Sequence, residues 1–356
     1  MRHTRLIRRL GWALLVTTLA LPLVAPTDDV MSQEPTFRNP VLAFRGADPW
    51  MVYHEGNYYL ITTSGGSELF MRRSPTIGGL QSARPVRVWQ DYTADRCCNM
   101  WAPELHLLDG PNGPRWYLYY TAGPVSQDFG KTQHTHVLES EGMDPLGPYT
   151  YKARVYDPKH DTPQLDGSIL QWEDKLYFLV SVWDEYGQSL YIAPMNNPWT
   201  ISGDRVRISS PTYPWERHLF TVNEGPVALI HDDRLFIIYS ASACWGPEYK
   251  LGMLIFTGGD VLDPAAWVKH PEPVFEQSPE NGVYGPGHNG FFKSPDGTED
   301  WIIYHANNSP SGGCDNRRTT RAQPFTWNED GTPNFGVPVS LDTELPVPSG
   351  EQAVNP

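Results

Sequence analysis

Apolar and polar residues alternate in short stretches along the chain, and five segments share one plan. Each begins with an ionisable residue beside Gly or Pro and continues into a short apolar stretch. A turn of the Glu-Gly-Asn, Asp-Gly or Asp-Asp kind follows, and then a stretch rich in Tyr, Leu, Ile and Phe. Two such stretches around a polar turn are the pattern of a β-hairpin. The residues that open the five segments are Asp48, Glu104, Asp166, Glu224 and His288.

The spacing of these residues predicts the fold. They are separated by 56, 62, 58 and 64 positions, and the five units account for nearly all of residues 37–345. A unit of about 60 residues fits a four-stranded propeller blade with long loops. We therefore predict an all-β fold, a five-bladed β-propeller that forms one domain over 37–345. A two-domain sandwich is the structural alternative, but it does not explain five matched units.

A propeller has a consequence for the five ionisable residues. Equivalent positions of successive blades face a common axis, so four carboxylates and one histidine are expected to ring one pocket. A single acidic residue near a strand start is most often a turn or cap residue. Five in register are harder to explain in that way, because clustered like charges destabilise a cleft unless they have a function.

The start of the chain has the pattern of a secretory signal peptide, which we place over residues 1–26. A basic stretch to Arg9 precedes an apolar run from Leu10 to about Ala25. An uncleaved membrane anchor is the alternative, but the run is shorter than the about 20 residues that a spanning helix needs. We expect a secreted protein, extracellular or in the cell envelope, without a membrane partner once the leader is removed. Residues 27–36 are interpreted as a linker and 346–356 as a tail.

The composition agrees with a β-rich fold and limits the classes of molecule that the protein can bind. Charged residues make up 19% of the chain and aromatic residues 12%, with 31 Gly and 34 Pro. Few charges with many aromatic and turn-forming residues disfavour a helical bundle or coiled coil. The net charge of −14 argues against nucleic acid as a partner, because binding to a phosphate backbone needs a basic surface.

The four cysteines suggest disulfides rather than a metal site. They are too few for a disulfide-dense scaffold, and no CxxC pair with matching partners suggests zinc. We expect Cys244 and Cys314 to pair in an exported protein. A bridge between the adjacent Cys97 and Cys98 would be strained, and the sequence leaves it open.

The five segments resemble glycoside hydrolase family 43. Ala47-Asp48-Pro49-Trp50 is similar to the motif of the family's general base, and Asn223-Glu224-Gly225-Pro226 to that of its general acid. Leu165-Asp166 resembles the motif of the carboxylate that orients the acid and modulates its pKa. Trp101-Ala-Pro-Glu104 is similar to the second-blade motif, and Tyr284-Gly-Pro-Gly-His288-Asn289 to the motif whose histidine sits beside a central calcium ion or water cluster. The Asn-Asp-Pro-Asn-Gly segment of the fructan-acting relatives is absent.

The resemblance implies an inverting glycoside hydrolase. Asp48 is then the general base, Glu224 the general acid, and Asp166 an ionised carboxylate that raises the pKa of Glu224 and holds a substrate hydroxyl. Inversion requires about 6.5–9.5 Å between the two catalytic carboxyl groups, which leaves room for a water molecule, whereas about 5 Å would indicate retention. Ca²⁺ in the axial channel, held with the help of His288, is also implied.

Further residues are candidates for substrate binding. Arginine suits sugar hydroxyls because its guanidinium offers rigid planar donors. The stretch from Cys314 to Trp327 resembles the family's late strand, in which Arg318 is the favoured substrate-side arginine and Arg321 the second choice. Glu104 either contacts substrate or is a structural or channel-lining carboxylate. Aromatic rings pack against the C–H faces of sugars, and the candidates for such stacking are Phe44, Trp50 and Trp101, with core packing as the alternative for Trp50.

Among the activities that the resemblance allows, we expect an α-L-arabinofuranosidase acting on plant cell-wall arabinan or arabinoxylan. The stretches Cys244–Gly252, Leu262–Trp267 and Arg321–Trp327 resemble family branches with that activity. A β-xylosidase acting on xylan and an endo-arabinanase are the alternatives within the family. The alternatives of another class are a non-catalytic sugar-binding propeller and an interaction scaffold. The first has no use for a separated acid and base, and the second usually carries shorter blades with a Trp-Asp type repeat, which is missing here.

Overall fold

Short antiparallel strands joined by tight turns make up most of the described chain. The structure is a computed structural model that describes Met1 and residues 35–352. Residues 2–34 and 353–356 lie outside the described residues, and with them the predicted signal peptide after Met1 and most of the predicted linker. No helix among the described residues has the length and apolarity to cross a bilayer.

The strands form five successive antiparallel sheets, or blades, each built from consecutive stretches of chain. Blade 1 contains β2 (Trp50–His54), β3 (Asn57–Ile61), β4 (Glu68–Ser74) and β5 (Val86–Gln90). Blade 2 contains β6 (Cys98–Gly110), β7 (Gly113–Gly123), β8 (His134–Ser140) and β9 (Tyr149–Val155). Blade 3 contains β10 (Gln164–Trp172), β11 (Lys175–Asp184), β12 (Gly187–Asn197), β13 (Thr200–Ile201) and β14 (Val206–Ser209).

The last two blades follow the same plan, and the helices are single turns between strands. Blade 4 contains β15 (Asn223–His231), β16 (Arg234–Ala241), β17 (Lys250–Phe256) and β18 (Trp267–Lys269). Blade 5 contains β19 (Tyr284–Lys293), β20 (Asp300–Asn307), β21 (Thr319–Trp327) and β22 (Pro333–Asn334). The short helices are α1 (Phe129–Thr132) and 3₁₀ turns at Gly78–Gln81, Pro214–Glu216, Pro264–Ala266 and Pro279–Asn281.

The two ends of the described chain meet beside blades 1 and 5. β1 (Thr36–Arg38) pairs antiparallel with β23 (Glu344–Pro346). Asn39 then exchanges two hydrogen bonds of 2.8 and 2.9 Å with the backbone of Ala322 in β21. The segment that leads into blade 1 is therefore fastened to blade 5, which closes the ring.

Five apolar clusters fill the spaces between neighbouring blades, one for each pair, including blades 5 and 1. Side chains of a strand alternate between its two faces, so a blade strand buries both faces. In β7, Leu118 and Tyr120 face blade 1, whereas Tyr117 and Tyr119 face blade 3. This double burial explains the nearly continuous apolar stretches of the sequence. The predicted five-bladed β-propeller is confirmed.

At or just before the innermost strand, every blade has a residue in the left-handed backbone conformation at a matching position. The φ angles are 51° at Asp48, 44° at Ala102, 56° at Asp166, 55° at Gly225 and 48° at His288. In blades 2 to 5 the strand register shifts across this residue. A non-glycine residue in this conformation costs about 1–2 kcal/mol, and such bulges are frequent next to active sites, where they re-aim a side chain.

The left-handed residues correct the predicted blade equivalence. Asp48, Asp166 and His288 occupy the shared position as predicted. In blade 2, however, the position belongs to Ala102 rather than to Glu104, and in blade 4 to Gly225 rather than to Glu224. The sequence pattern could not reveal the shift, because blade strands are apolar on both faces and the extra residue of a bulge therefore displaces no visible alternation.

The backbone N–H of each left-handed residue is bound by a side chain of the preceding blade. Four of the acceptors lie in or just after that blade's second strand: Thr63 for Ala102 (2.8 Å), Thr121 for Asp166 (3.0 Å), Ser240 for His288 (2.7 Å) and His305 Nδ1 for Asp48 (3.1 Å). Blade 4 departs from the series, because the Gly225 N–H donates to Oδ2 of Asp166 at 3.1 Å. A carboxylate thus replaces a hydroxyl next to Glu224.

Candidate active site

A cavity of about 810 Å³ opens where the innermost strands begin, and all five blades contribute to its wall. Six of the ten residues predicted for the site line it. They are Asp48, Trp101, Asp166, Glu224, His288 and Arg318. The fold therefore brings the three predicted catalytic carboxyl groups together from blades 1, 3 and 4.

Asp48 is a buried carboxylate surrounded by cationic and hydroxyl groups. Its Oδ1 accepts a hydrogen bond from Arg318 Nη1 at 3.0 Å, and its Oδ2 accepts one from the Thr63 hydroxyl at 2.5 Å. His288 Nδ1 lies 3.4 Å from Oδ1. Burial alone would raise the pKa of Asp48, but the positive charges of Arg318 and His288 outweigh it and hold that pKa well below its usual range. Asp48 is consequently ionised at neutral pH, as a general base must be.

Glu224 lies in the same cavity, but its pKa is shifted in the opposite direction to that of Asp48. Tyr249 donates its hydroxyl to Oε1 at 2.8 Å, and Gln188 Nε2 donates to Oε2 at 3.2 Å. Burial raises the pKa of Glu224 against the opposing effects of His288 and these two donors. A raised pKa lets a carboxylic acid keep its proton near neutrality, which is the property of a general acid.

Asp166 is buried in the same cavity as Glu224, and burial is the main cause of the pKa shift of both carboxyl groups. Burial raises the pKa of Asp166 to about 7; Glu224 and Asp48 act in the same direction, and His288 opposes them. Two neighbouring buried carboxyl groups cannot both ionise easily, so the pair formed by Asp166 and Glu224 retains a proton near neutrality. The sequence predicts an ionised Asp166. Its raised pKa indicates instead that Asp166 is partly protonated near neutral pH. Its Oδ2 also holds the N–H of Gly225, the residue after Glu224.

Two histidines flank Asp48 and differ in charge. Burial would lower the pKa of His288, but the carboxylates of Asp48, Asp166 and Glu224 outweigh it and raise that pKa. Burial and Arg318 lower the pKa of His305 to about 4. His288 therefore contributes positive charge between the carboxylates, whereas neutral His305 accepts the backbone N–H of Asp48.

The donor set around His288 bears on the expected calcium ion. Calcium takes 6–8 oxygen ligands, whereas no group of three or more His, Cys, Asp or Glu side chains in the described residues is arranged to hold a metal. Oxygens of Asp48 are already bound by Arg318 and Thr63. The residues present fit only an ion that takes most of its ligands from water. Calcium thus stays a prediction of the family resemblance.

Four predicted site residues lie outside the cavity lining that the described residues form, and three of them are buried in structural contacts. Trp50 belongs to the apolar cluster between blades 1 and 2, and its indole N–H donates to the Leu105 carbonyl at 2.8 Å. Glu104 is buried, with Oε2 at 2.8 Å from His106 Nε2. In blade 2 the left-handed position belongs to Ala102. The contacts of Glu104 are therefore those of a structural carboxylate.

Arg321 and Phe44 are the other two predicted residues outside the cavity lining of the described residues. Arg321 is fully buried within β21, where its side chain donates to the Thr319 and Asn308 side chains. Arg318 precedes that strand, and this difference decides between the two arginines. Phe44 is 56% exposed and lies outside the cavity wall formed by the described residues. Of the three aromatic candidates for sugar stacking, only Trp101 remains, with its ring edge-on to Phe129 at 4.7 Å.

The cavity also contains residues that the sequence did not indicate. Gln188 and Tyr249 come from the third strand of blade 3 and the loop before β17, and no motif marks their approach to Glu224. The aromatic side chains of Phe129, Trp183, Phe220 and Trp245 line the cavity as well. A count of aromatic residues could not separate these from the many that fill the clusters between blades.

Both disulfides considered from the sequence are present. Cys244 and Cys314 are bonded across 70 positions and line the cavity, and the adjacent Cys97 and Cys98 are bonded to each other. The first bridge joins the loop after β16 to the loop before β21. It therefore connects the neighbourhood of Trp245 with that of Arg318.

The arrangement suits acid–base hydrolysis of a bond whose leaving group departs through an oxygen atom. One cavity holds an ionised carboxylate on blade 1 and a proton-retaining carboxyl pair on blades 3 and 4. Glycoside hydrolysis by acid and base uses such a combination, because one group protonates the leaving oxygen and the other activates water.

Comparisons with known proteins agree with this geometry. The sequence profile described as glycosyl hydrolases family 43 matches residues 37–333. An extracellular exo-α-(1->5)-L-arabinofuranosidase of Streptomyces avermitilis is 37% identical over 355 residues, which cover 94% of this chain and 71% of that protein. An enzyme of the same name from Streptomyces chartreusis is 36% identical, with 76% of this chain and 82% of that protein covered.

A solved structure shows the same similarity in three dimensions. The crystal structure of an α-L-arabinofuranosidase from Lactobacillus brevis matches with a TM-score of 0.79 and 34% sequence identity. The match covers 86% of this chain and 98% of that one. The chain described here is a glycoside hydrolase and belongs to glycosyl hydrolases family 43.

Proposed function

We propose that the protein is an exported, inverting α-L-arabinofuranosidase that removes terminal arabinose from arabinan or arabinoxylan. The observation that carries this proposal is the opposite protonation of Asp48 and Glu224 in one cavity. Asp48 has a lowered pKa and Glu224 a raised one. Separate environments that push two carboxyl groups apart in pKa define the base and the acid.

The proposed reaction is a single displacement. Glu224 gives its proton to the glycosidic oxygen as the bond to the anomeric carbon breaks. Asp48 takes a proton from the water whose oxygen attacks that carbon from the opposite face, which inverts its configuration. Proton exchange with solvent then restores both groups.

Other residues of this chain keep these groups in place. Arg318 and Thr63 fix the two oxygens of Asp48, so that its carboxylate faces the water in one orientation. Asp166 binds the N–H of Gly225 and shares the proton of the acid pair. Tyr249 and Gln188 orient the Glu224 carboxyl group.

The names of the relatives support the choice of substrate and compartment. Two relatives are called extracellular exo-α-(1->5)-L-arabinofuranosidases, and a structural relative is an α-L-arabinofuranosidase. A plant polysaccharide that carries terminal arabinofuranose is the corresponding substrate. Export agrees with the predicted signal peptide and with two disulfides, which persist in oxidising compartments.

Hydrolysis of two chromogenic substrates tests the proposal. We expect the protein to cleave 4-nitrophenyl α-L-arabinofuranoside at least about 10-fold faster than the β-xyloside. On α-1,5-linked arabinobiose, whose leaving hydroxyl must be protonated, Asp48→Asn and Glu224→Gln should each lose about 10²–10⁴-fold in kcat. Preference for the xyloside would favour the β-xylosidase alternative. Absence of cleavage of either compound and of arabinan would favour a sugar-binding propeller. Either variant with near-full activity would refute the assigned roles.

A further inference from the structure

Three aromatic side chains form a continuous row in the cavity wall beside Glu224. We call Trp183, Phe220 and Trp245 the aromatic shelf. The ring centroids of Trp183 and Phe220 are 5.5 Å apart with a 69° interplanar angle, and those of Phe220 and Trp245 are 5.8 Å apart at 49°. All three residues line the same cavity as Glu224.

The shelf keeps much of its apolar surface in solvent. Phe220 is 44% exposed and Trp245 is 51% exposed. Contiguous exposed apolar surface of this kind marks a binding site more often than an accident of folding. The adjoining Leu219 is 59% exposed as well, so the apolar patch continues from the cavity towards its rim.

Local structure holds the shelf in place. Leu219, next to Phe220, has a left-handed φ of 61°, which is uncommon for a residue other than glycine. The Leu219 side chain lies against Gly246, with its Cδ1 2.7 Å from where a Cβ of residue 246 would stand, so the two loops that carry Phe220 and Trp245 are in contact. Cys244, next to Trp245, is bonded to Cys314 across the cavity wall. A surface fixed at both loops loses little conformational entropy when a ligand binds.

The position of the shelf indicates which part of a substrate it meets. A general acid delivers its proton to the leaving oxygen, so the leaving group lies on the side of Glu224. Phe220 precedes Glu224 by four residues, and Trp245 follows β16, the strand that pairs with the strand of Glu224. Aromatic rings pack well against the C–H faces of sugars. The cavity, at about 810 Å³, is much larger than one pentose needs.

We propose that the aromatic shelf binds the leaving-group part of an arabino-oligosaccharide, so that the enzyme favours arabinan chains over arabinosides with small leaving groups. This inference rests on the proposed arabinofuranosidase function. The occupant is the sugar chain that remains after the terminal arabinose is cut off. The shelf is thus a determinant of specificity that is separate from the carboxyl groups.

Steady-state kinetics on three substrates test the proposal. The substrates are methyl α-L-arabinofuranoside, α-1,5-linked arabinobiose and α-1,5-linked arabinotriose. For the wild type we expect kcat/KM to rise from the methyl glycoside to the triose. In Phe220→Ala and Trp245→Ala, kcat/KM for the triose should fall about 10-fold, while that for the methyl glycoside stays within about 2-fold, because only the stacking contact is lost.

Matched controls separate this effect from misfolding. Tyr92 is a 71% exposed aromatic residue outside the cavity lining of the described residues, so Tyr92→Ala should leave all three rates unchanged. Phe220→Leu and Trp245→Leu keep apolar bulk without the ring and should still lose the preference for the triose. Thermal unfolding within about 2 °C of the wild type would show that each variant is folded.

Two outcomes overturn the inference in distinguishable ways. Equal losses on the methyl glycoside and the triose would show that the shelf shapes the whole cavity and does not recognise the leaving group. A larger effect on arabinoxylan oligosaccharides than on the arabinotriose would make the occupant a xylan backbone. Failure of the wild type to hydrolyse any arabinoside would instead refute the proposed function.

Discussion

Arg318 Nη1 donates a hydrogen bond to Oδ1 of Asp48 at 3.0 Å, although the two residues stand 270 positions apart in the sequence. Arg318 lies just before β21 of blade 5, and Asp48 lies just before β2 of blade 1. Closure of the ring of blades is what brings them together. Both side chains are buried, with about one tenth of their surface exposed, so the charge-assisted bond is stronger than an exposed pair would be.

Removal of this arginine is predicted to shift the acid side of the pH profile. Asp48 must be ionised to act as a base, so activity is lost as the pH falls through its pKa. Arg318→Met raises that pKa, and the acid limb of kcat/KM should move up by about 1–2 pH units. Arg317→Met is the matched control, because Arg317 is exposed and pairs with Asp315. An unmoved acid limb in Arg318→Met would contradict the role given to the pair.

Tyr249 is predicted to tune the basic side of the profile. Glu224 must be protonated to act as an acid, so activity is lost as the pH rises through its raised pKa. The Tyr249 hydroxyl favours the ionised form of Glu224 and lowers that pKa. In Tyr249→Phe the basic limb should therefore move to higher pH, with kcat reduced about 3- to 10-fold because the acid is less well oriented.

Tyr304→Phe provides the comparison for this prediction. Tyr304 is also fully buried, but its hydroxyl binds Gln323 in blade 5. Its removal should change stability without moving either limb. A basic limb that shifts downwards in Tyr249→Phe, or shifts equally in both variants, would show that the hydroxyl does not act through Glu224.

The bridge between Cys244 and Cys314 is predicted to stabilise the fold and the cavity together. It closes a loop of 70 residues, for which the chain-entropy model gives about 4 kcal/mol, with measured values of about 2–4 kcal/mol being usual. The Cys244→Ala/Cys314→Ala variant should lose stability of this order in denaturant titration. The matching Cys97→Ala/Cys98→Ala variant opens almost no loop and should lose far less. Equal losses would refute the loop argument.

Chelation tests the calcium expectation. An ion that binds only the folded state stabilises it, so a hydrated calcium ion beside His288 predicts that EDTA lowers Tm by about 2–4 °C and that calcium restores it. A His288→Gln variant should then respond less to calcium than the wild type. Unchanged Tm and activity after exhaustive dialysis against EDTA would count against a calcium site.

The sequence predicts the fold well because hairpin units repeat with a visible period. It also predicts Asp48, Asp166, Glu224 and His288, since each stands beside Gly or Pro at the start of an inner strand. The predicted blade equivalence does not hold for Glu104, because Ala102 takes the matching left-handed position of blade 2. A bulge of that kind depends on contacts with the preceding blade, here the hydroxyl of Thr63, and leaves no mark in the apolar pattern.

Aromatic residues show a second limit of sequence reasoning. Trp50 follows the left-handed Asp48 by two residues and packs between blades, whereas Trp101 directly precedes the left-handed Ala102 and lines the cavity. Which face of a strand meets the cavity is decided by the twist of the blade and the bulge before it. Gln188 and Tyr249 could not be predicted either, because they lie outside the motif of Glu224. Gln188 reaches Glu224 from β12 of blade 3, and Tyr249 reaches it from the loop before β17.

The stereochemistry of the first product tests the proposed acid and base most directly. Proton NMR during the first minutes of hydrolysis of 4-nitrophenyl α-L-arabinofuranoside distinguishes the two anomers of arabinose before they equilibrate. With Asp48 activating water opposite Glu224, the β anomer should appear first and the α anomer should grow in only by mutarotation. Initial release of the α anomer would mean a retaining mechanism and would contradict the roles assigned to these two residues.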